Sequence, residues 1–191
     1  MEEEELQGPG LRERKKARLR EQIFVTAIKM FRKRGYRATR IEDIVRALEI
    51  SQPTFFRYFP DKEAVLREVG KRGFGRLVAL QKYLLSIDGP SPKRLGMLYS
   101  SMARDIEADP HLWRAVVLAG GSDPLRSTDP DFHRLEQTQF RLLRDLIADG
   151  QRRGEVTRAF TPQHLAECME GLAATAIVEW AAELNGSREL S

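Results

Sequence analysis

The sequence predicts an all-α protein, because apolar residues recur at helical spacing and Val, Ile and Thr do not form alternating runs. Glycine and proline, 14 and 9 of the 191 residues, leave room for several uninterrupted helices. The 41% of hydrophobic and 31% of charged residues are typical of a folded globular chain. A chain of this length forms one domain, or a small module joined to a larger one.

Positive charge is concentrated at one end of the chain. The first 75 residues contain 18 Lys and Arg against 12 Asp and Glu, and the remaining residues contain 14 against 16. Four of the early acids lie in the opening MEEEE, so the part that follows is strongly basic. This asymmetry favours a polyanionic partner such as nucleic acid at that end, although a basic surface is often only solvated charge.

Signatures of secreted, metal-binding and membrane-spanning proteins are missing. Cys168 is the only cysteine, which excludes an internal disulfide and leaves no cysteine pair for a metal. The acidic start, residues 1–10, has no apolar core and is interpreted as a loose tail. The apolar stretch GLAATAIVEWAAEL is interrupted by Glu179 and is too short to cross a bilayer. We therefore expect a cytoplasmic protein without a metal or cofactor.

The first helix is predicted to begin at Leu11 and to end at Gly35. Lys and Arg crowd its last turn, where they complement the helix dipole. Its later apolar residues fall on one stripe at helical spacing: Ile23, Phe24, Ala27, Ile28 and Phe31. The stripe predicts that one side of this helix packs against a core.

Two short helices follow. Thr39 precedes Glu42 by three residues, the spacing of a capping box, and opens a helix of about two turns. Ser51 is expected to cap the third helix, which tolerates Pro53 in its first turn. Pro60 ends that helix, because the residue before a proline is displaced from helical conformation.

Longer helices are predicted for the rest of the chain. Asp61 is expected to cap a fourth helix that runs to the break at residues 88–90. Later helices are predicted at residues 91–109, 111–119, 132–153 and 161–184, with a loop rich in Gly, Ser, Asp and Pro at 120–130.

The second and third helices, leaning on the first, form a helix-turn-helix arrangement. Phe55 and Phe59 lie four residues apart and share a face with Ile50, so we expect that face to be buried. The outward side of the third helix then carries Gln52, Pro53, Thr54, Phe56 and Arg57. A polar helix start backed by buried rings predicts a recognition helix that faces another molecule.

These residue types suit the major groove of DNA. Gln can bond adenine N6 and N7 together, Thr can use its hydroxyl or its methyl, and Pro53 offers apolar contact. Arg40 and Lys62, at the starts of the second and fourth helices, are expected to flank the groove near phosphates. Further basic residues follow the adjacent backbone or form a solvated arm: Arg12, Arg14, Lys15, Lys16 and Arg18.

The segments AIKMFRKRGYRATRIEDIVRALEIS and PTFFRYFPDKEAVL resemble the tetracycline-repressor (TetR) family of transcriptional regulators over about residues 23–66. The matching positions are Phe31, Gly35, Thr39, Ile44, Thr54, Phe59, Lys62 and Leu66. The triplet QPT also resembles the base-contacting triplet of the founding member. Resemblance and groove chemistry together give a predicted DNA-contact set: Thr39, Arg40, Gln52, Pro53, Thr54, Phe56, Arg57, Tyr58 and Lys62.

Three positions depart from the family pattern. Glu49 stands where members usually have glycine, and a left-handed backbone at this position would cost about 1 kcal/mol. Phe56 stands where many members have a phosphate-binding Tyr, which leaves Tyr58 as the nearby phenol. Arg40 replaces the usual phosphate-side Thr and keeps the contact with a different donor.

The resemblance implies a homodimeric repressor that binds double-stranded DNA at a palindromic operator. The domains would be a DNA-binding domain at residues 11–60 and a helical regulatory and dimerisation domain at 61–191. A small-molecule inducer in the second domain would change the spacing of the two recognition helices and relieve repression. The last two helices are the candidate dimer bundle, although an ordinary intramolecular core explains their small residues nearly as well.

Met and aromatic residues of the second domain are candidates for the ligand pocket, because such side chains favour adaptable apolar sites. For each residue taken singly, filling an ordinary core is the better explanation. The candidates are Phe74, Tyr83, Met97, Met102, Trp113, Phe140 and Met169.

Two other classes of function remain as alternatives. An enzyme is disfavoured, because His111, His133 and His164 are scattered and no phosphate loop, metal motif or serine elbow is present. The other alternative is an all-α adaptor that binds protein through its helices and whose basic end serves solubility alone.

Overall fold

The computed structural model describes residues 10–119 and 129–186. Every regular element in these ranges is an α-helix, which confirms the all-α prediction. The helices are α1 (Leu11–Arg34), α2 (Ile41–Ala47), α3 (Gln52–Tyr58), α4 (Glu63–Ser86), α5 (Ser91–Ala108), α6 (Pro110–Leu118), α7 (Pro130–Arg152) and α8 (Pro162–Gly186). The predicted tail at residues 1–9 and most of the predicted loop at 120–130 lie outside the described residues.

The chain divides into two compact units, Met1–Val65 and Leu66–Ser191. The first unit contains α1, α2, α3 and the first residues of α4. The second contains the remainder of α4 and the helices that follow it.

The first unit is built on the apolar stripe of α1. All five residues predicted for that stripe are buried: Ile23, Phe24, Ala27, Ile28 and Phe31. Gly35 ends the helix with φ of 85°, and its N–H donates to the Phe31 carbonyl at 2.8 Å. Such a φ favours glycine, which explains why the helix ends at this residue.

The core of the second unit lies among α4, α5, α7 and α8. Its fully buried members are Leu84, Leu98, Leu143, Leu146, Ile147 and Ala166. Gly150 of α7 permits close packing, because a Cβ there would lie 2.8 Å from the Ser91 Cβ and 2.6 Å from the Val156 Cγ2. The periodic apolar residues of four helices thus supply one continuous core.

Arg94 joins three helices of this unit from a buried position. Its guanidinium donates to the Leu84 carbonyl at 3.1 Å and to the Ser91 Oγ at 2.8 Å. It also donates to the Asp149 carboxylate of α7. This hydrogen bond lowers the pKa of Asp149, while partial burial opposes the shift. A buried charge needs such partners, because its desolvation is otherwise unfavourable.

Several helix starts carry the caps that the sequence predicts. The Ser51 hydroxyl accepts the Thr54 N–H at 3.3 Å, and the Asp61 carboxylate accepts the Ala64 N–H at 2.5 Å. A third cap, which was not predicted from the sequence, is Asp109, whose carboxylate accepts the Leu112 N–H at 3.2 Å. These bonds satisfy amides that have no partner within their own helix.

The final helix, α8, is apolar on its exposed side as well as on its buried side. Leu172 is 73% exposed and Val178 is 57% exposed, and Gly171, Ala174 and Ala176 are exposed near them. Neither α8 nor any other helix in residues 10–119 and 129–186 has the length and hydropathy needed to cross a membrane. A helix with two apolar sides calls for a second packing partner.

Candidate nucleic-acid interface

The turn between α2 and α3 is tight and has one unusual residue. The Ile50 N–H donates to the Val45 carbonyl at 3.0 Å, and the Leu48 N–H donates to the Ile44 carbonyl at 3.2 Å. Glu49 between them has φ of 54°, the only positive φ of a non-glycine residue in the described ranges. The backbone therefore takes the left-handed conformation that glycine would adopt more easily.

The inner face of α3 holds the helix against its own unit. Phe55 is 0% exposed and Phe59 is 1% exposed, which confirms the predicted burial of this face. The guanidinium carbon of Arg20 from α1 lies 4.7 Å from the centre of the Phe59 ring, at cation–π distance. Two phenylalanines and one cation thus fix the orientation of α3.

The outer face of α3 carries the residues that the sequence predicts for contact with bases. Gln52, Pro53, Phe56 and Arg57 are exposed, and Thr54 and Tyr58 are partly buried. The Arg57 guanidinium carbon lies 5.3 Å from the centre of the Tyr58 ring. Polar, apolar and cationic groups therefore share one exposed surface at the start of a short helix.

Hydrogen bonds constrain two of these side chains. The Ser51 and Thr54 hydroxyl oxygens lie 2.9 Å apart and share a hydrogen bond, so the Thr54 hydroxyl takes part in the cap. Gln52 Nε2 donates to Glu42 Oε1 of α2 at 2.9 Å. The first turn of α3 is therefore partly ordered before it meets any partner.

Thr39 and Arg40 at the start of α2 differ sharply in exposure. Arg40 is exposed, as a phosphate contact requires. Thr39 is 0% exposed, and its hydroxyl donates to the Gly35 carbonyl at 2.8 Å. The predicted Thr39–Glu42 capping box is wrong, because Arg40 is the cap residue and Asp43 accepts its N–H at 3.3 Å. The Thr39 side chain therefore supports the loop from inside and is removed from the contact set.

Lys62 is held by the loop that precedes α2. Its ammonium donates to the carbonyls of Tyr36 and Thr39, each at 2.9 Å, and lies 4.2 Å from the centre of the Tyr36 ring. The Tyr36 hydroxyl in turn donates to Glu63. These contacts stabilise the loop, whereas the sequence predicts only that Lys62 lies near a phosphate. Tyr36 and Glu42 are the residues that sequence reasoning missed, since their partners lie far along the chain.

A basic surface adjoins this region on α1. The side chains of its first turns are exposed, including all five that the sequence singles out: Arg12, Arg14, Lys15, Lys16 and Arg18. The exposed face of α3 and this basic stretch belong to the same unit, as an interface with a polyanion requires.

Residues 23–69 match the family model for bacterial regulatory proteins of the tetR family. This part of the chain is a helix-turn-helix domain of the TetR type. The transcriptional regulator TcmR of Streptomyces glaucescens is 47% identical over 58 residues, which are 30% of this chain and 26% of that protein. The chain therefore matches only about a quarter of that relative's length.

Solved structures extend the similarity to the second unit. The TetR-family repressor FadR of Thermus thermophilus, in complex with lauroyl-CoA, has a TM-score of 0.64 at 24% identity and covers 87% of this chain and 85% of that one. FadR of Bacillus subtilis, in complex with stearoyl-CoA, has a TM-score of 0.62 at 15% identity and covers 86% of this chain and 88% of that one. These similarities confirm the predicted two-part helical architecture of the chain.

The seven pocket candidates of the second domain occupy three kinds of environment. Phe74 contacts Phe132 edge-on at 4.9 Å, and the Trp113 ring lies against Gly73. Phe140 and Met169 pack on the main core. Tyr83 is 56% exposed and Met97 is 41% exposed, whereas Met102 is partly buried. Residue type alone therefore did not separate pocket candidates from core or surface.

Polar groups also lie inside the second unit. Gln81 of α4 is 0% exposed, and its amide makes no hydrogen bond within the described residues. Burial raises the pKa of Tyr99 to about 12, and the charge of Glu170 adds to the shift. Burial also raises the pKa of Glu170, against a hydrogen bond from Gln139. These groups are the unit's strongest candidates for recognising a polar part of a ligand.

Proposed function

We propose that the chain is a homodimeric transcriptional repressor that binds a palindromic DNA operator and is released by a small-molecule ligand. The observation that carries the proposal is the two-sided build of α3. Its rear face is anchored by Phe55 and Phe59, and its exposed front offers Gln52, Pro53 and Arg57.

In this proposal α3 lies in the major groove of the operator. Gln52 bonds an adenine, and Pro53 and Phe56 make apolar contacts. Because the Thr54 hydroxyl is engaged with Ser51, its methyl is the group offered to a thymine methyl. Arg57 and Tyr58 lie further along the helix, where they reach the sugar-phosphate backbone.

Phosphate contacts come from Arg40 at the start of α2 and from the exposed basic residues of α1. Such contacts position the protein and give affinity without sequence information. Lys62 contributes indirectly, because its ammonium holds the Tyr36 and Thr39 carbonyls and so fixes the loop that carries Arg40.

Dimerisation is assigned to the exposed apolar side of α8. Leu172 and Val178 lie there beside Gly171, Ala174 and Ala176, whose small side chains permit a partner helix to approach closely. A second copy of the same helix fits this surface, because two-fold pairing buries both apolar sides at once. The intramolecular alternative is disfavoured, since these residues are exposed within the chain.

The ligand is assigned to the second unit, with an apolar portion near Phe74, Trp113 and Met102 and a polar portion toward Gln81 or Glu170. Acyl-CoA esters are the first compounds to test, because the two FadR structures are complexes with them. The DNA-binding domain is proposed at residues 11–60 and the regulatory domain at 61–191, in a cytoplasmic protein.

Selection from random DNA duplexes at about 0.15 M salt tests the proposal. We expect a recovered palindrome whose half-sites are separated by one helical turn, roughly 34–36 Å between recognition helices. Recovery of a single half-site would contradict the dimer. Weak binding without any preferred sequence would instead support the protein-binding adaptor. Addition of lauroyl-CoA to the complex then tests release directly.

A further inference from the structure

Glu42 and Gln52 connect the two helices of the helix-turn-helix at its exposed surface. Glu42 lies in the first turn of α2, and Gln52 is the first residue of α3. Gln52 Nε2 donates to Glu42 Oε1 at 2.9 Å, and both residues are exposed. This hydrogen bond therefore joins Gln52, which is proposed to contact a base, to Glu42, which is not in the predicted DNA-contact set.

The chemistry of this hydrogen bond fixes which way the Gln52 amide points. A carboxylate can only accept, so the amide must turn its Nε2 toward Glu42 and its Oε1 away. A glutamine without such a partner can rotate its amide and exchange the two atoms. Glu42 thus prevents the half-turn rotation of the amide that would let Gln52 present either a donor or an acceptor to the same atom of a base.

The orientation of the Gln52 amide that remains matches adenine better than guanine. The amide has two N–H bonds, and Glu42 uses one of them. The second N–H and Oε1 remain, which is the donor and acceptor pair that meets adenine N7 and N6. Guanine presents two acceptors, N7 and O6, at the same edge, so its O6 would oppose the amide oxygen.

We infer that Glu42 is a specificity-determining residue that orients Gln52 for adenine and against guanine. The inference rests on the proposed DNA-binding function. Glu42 also carries negative charge on the surface that would face phosphates, so it weakens binding to every sequence while it sharpens the choice of base. Its removal therefore has two opposite effects, and surface charge alone would produce only one of them.

The experiment compares affinities for the selected operator and for variants with each A·T pair replaced by G·C, at one fixed salt concentration. We expect Gln52→Ala to lose about tenfold discrimination at one position of each half-site. Glu42→Ala should lose discrimination at that same position while non-specific affinity rises severalfold. The double variant should lose no more discrimination than Gln52→Ala alone, because Glu42 acts through Gln52.

Glu49→Gln is the matched control, since it removes one exposed negative charge from the same unit but none of the contacts of Gln52. It should raise non-specific affinity and leave discrimination unchanged. If Glu42→Ala behaves like Glu49→Gln, Glu42 is only a surface charge and the inference is wrong. Equal loss at every position, with an altered circular dichroism spectrum, would make Glu42 structural and also overturn it. Failure of the wild-type chain to select any sequence would instead overturn the proposed function.

Discussion

Glu49 and Lys62 illustrate how single residues of the first unit are tied to its backbone. Glu49 has a left-handed backbone with φ of 54° in the turn before the recognition helix. Lys62 holds two carbonyls of the loop before α2. One residue therefore strains a turn that α3 needs, and the other stabilises a loop that α2 needs.

Glu49→Gly is expected to raise the free energy of unfolding by about 1 kcal/mol, because glycine adopts a positive φ without steric penalty. Chemical denaturation followed by circular dichroism measures the change. Glu49→Ala is the control, since it removes the charge and keeps the side-chain Cβ. An equal gain from Glu49→Ala would mean that charge, and not backbone conformation, is responsible.

Lys62→Met is expected to lower the free energy of unfolding by about 2 kcal/mol, because two charge-assisted hydrogen bonds are lost while the apolar stem is kept. Arg40→Ala should leave stability nearly unchanged and reduce the slope of log affinity against log salt by about one. Thermal unfolding measures the stability of each variant, and DNA titration at several salt concentrations measures the slope. A stable Lys62→Met protein with a reduced slope would make Lys62 a phosphate contact after all.

At the scale of helices, the Arg94 group holds the second unit together. One side chain joins the end of α4 to the start of α5 and, through Asp149, to α7. The Arg94 side chain is only 4% exposed, so its charge depends on these partners. Arg94 and its partners therefore link three helices that also share the apolar core.

Asp149→Asn is expected to lower the free energy of unfolding by about 3 kcal/mol at neutral pH, because it leaves a buried guanidinium without its carboxylate. The pKa of Asp149 is lowered in the folded state. Its contribution is thus present above the unfolded pKa of roughly 3.9 and is lost as the pH falls through the folded value. The free energy of unfolding of Asp149→Asn should therefore fall less steeply than that of the wild-type chain as the pH is lowered.

Asp105→Asn is the control for this ion pair. Asp105 pairs with Arg76 across helices, but these side chains are 47% and 58% exposed. The substitution should change the free energy of unfolding by less than about 1 kcal/mol. Equal effects of the two substitutions in a denaturant titration across pH would contradict the special role of Arg94.

The helices and the caps at Ser51 and Asp61 were predictable because their signals are local, although the equally local Thr39–Glu42 capping box was wrong. The stripe on α1, the cap at Ser51 and the burial of Phe55 follow from residues a few positions apart. The contacts of Lys62 and the burial of Thr39 were not predictable, since they depend on segments more than twenty residues apart or on tertiary packing. The pocket residues stay a prediction for a related reason, because a core and a ligand site use the same side-chain types.

At the scale of the whole molecule, the proposed function requires two copies of the chain to act as a pair. One recognition helix of seven residues touches few bases, so useful affinity requires a second copy at a fixed spacing. The apolar exposed side of α8 is the surface assigned to that pairing. The two units of the chain thus have separate tasks, and each depends on a helix face that the chain itself leaves exposed.

Leu172→Glu is expected to convert the dimer to a monomer, because it puts a charge at the centre of the exposed apolar side of α8. Analytical ultracentrifugation should give a mass near the 21.9 kDa of one chain. Operator affinity should fall by about 100-fold or more. Val25→Glu, at a residue of α1 that is 53% exposed, should leave the mass in free solution unchanged. A monomeric wild-type chain would contradict the assignment.

Gln81 has a consequence for engineering this protein. A wholly buried amide without a hydrogen bond destabilises a fold by about 1–3 kcal/mol, so Gln81→Met should raise the melting temperature. Differential scanning calorimetry would measure the gain, and an unchanged or lower value would mean that the amide is satisfied in solution. If Gln81→Met raises the melting temperature but DNA binding is no longer released by the proposed ligand, the buried amide of Gln81 lowers the stability of the wild-type chain and is needed for the response to ligand.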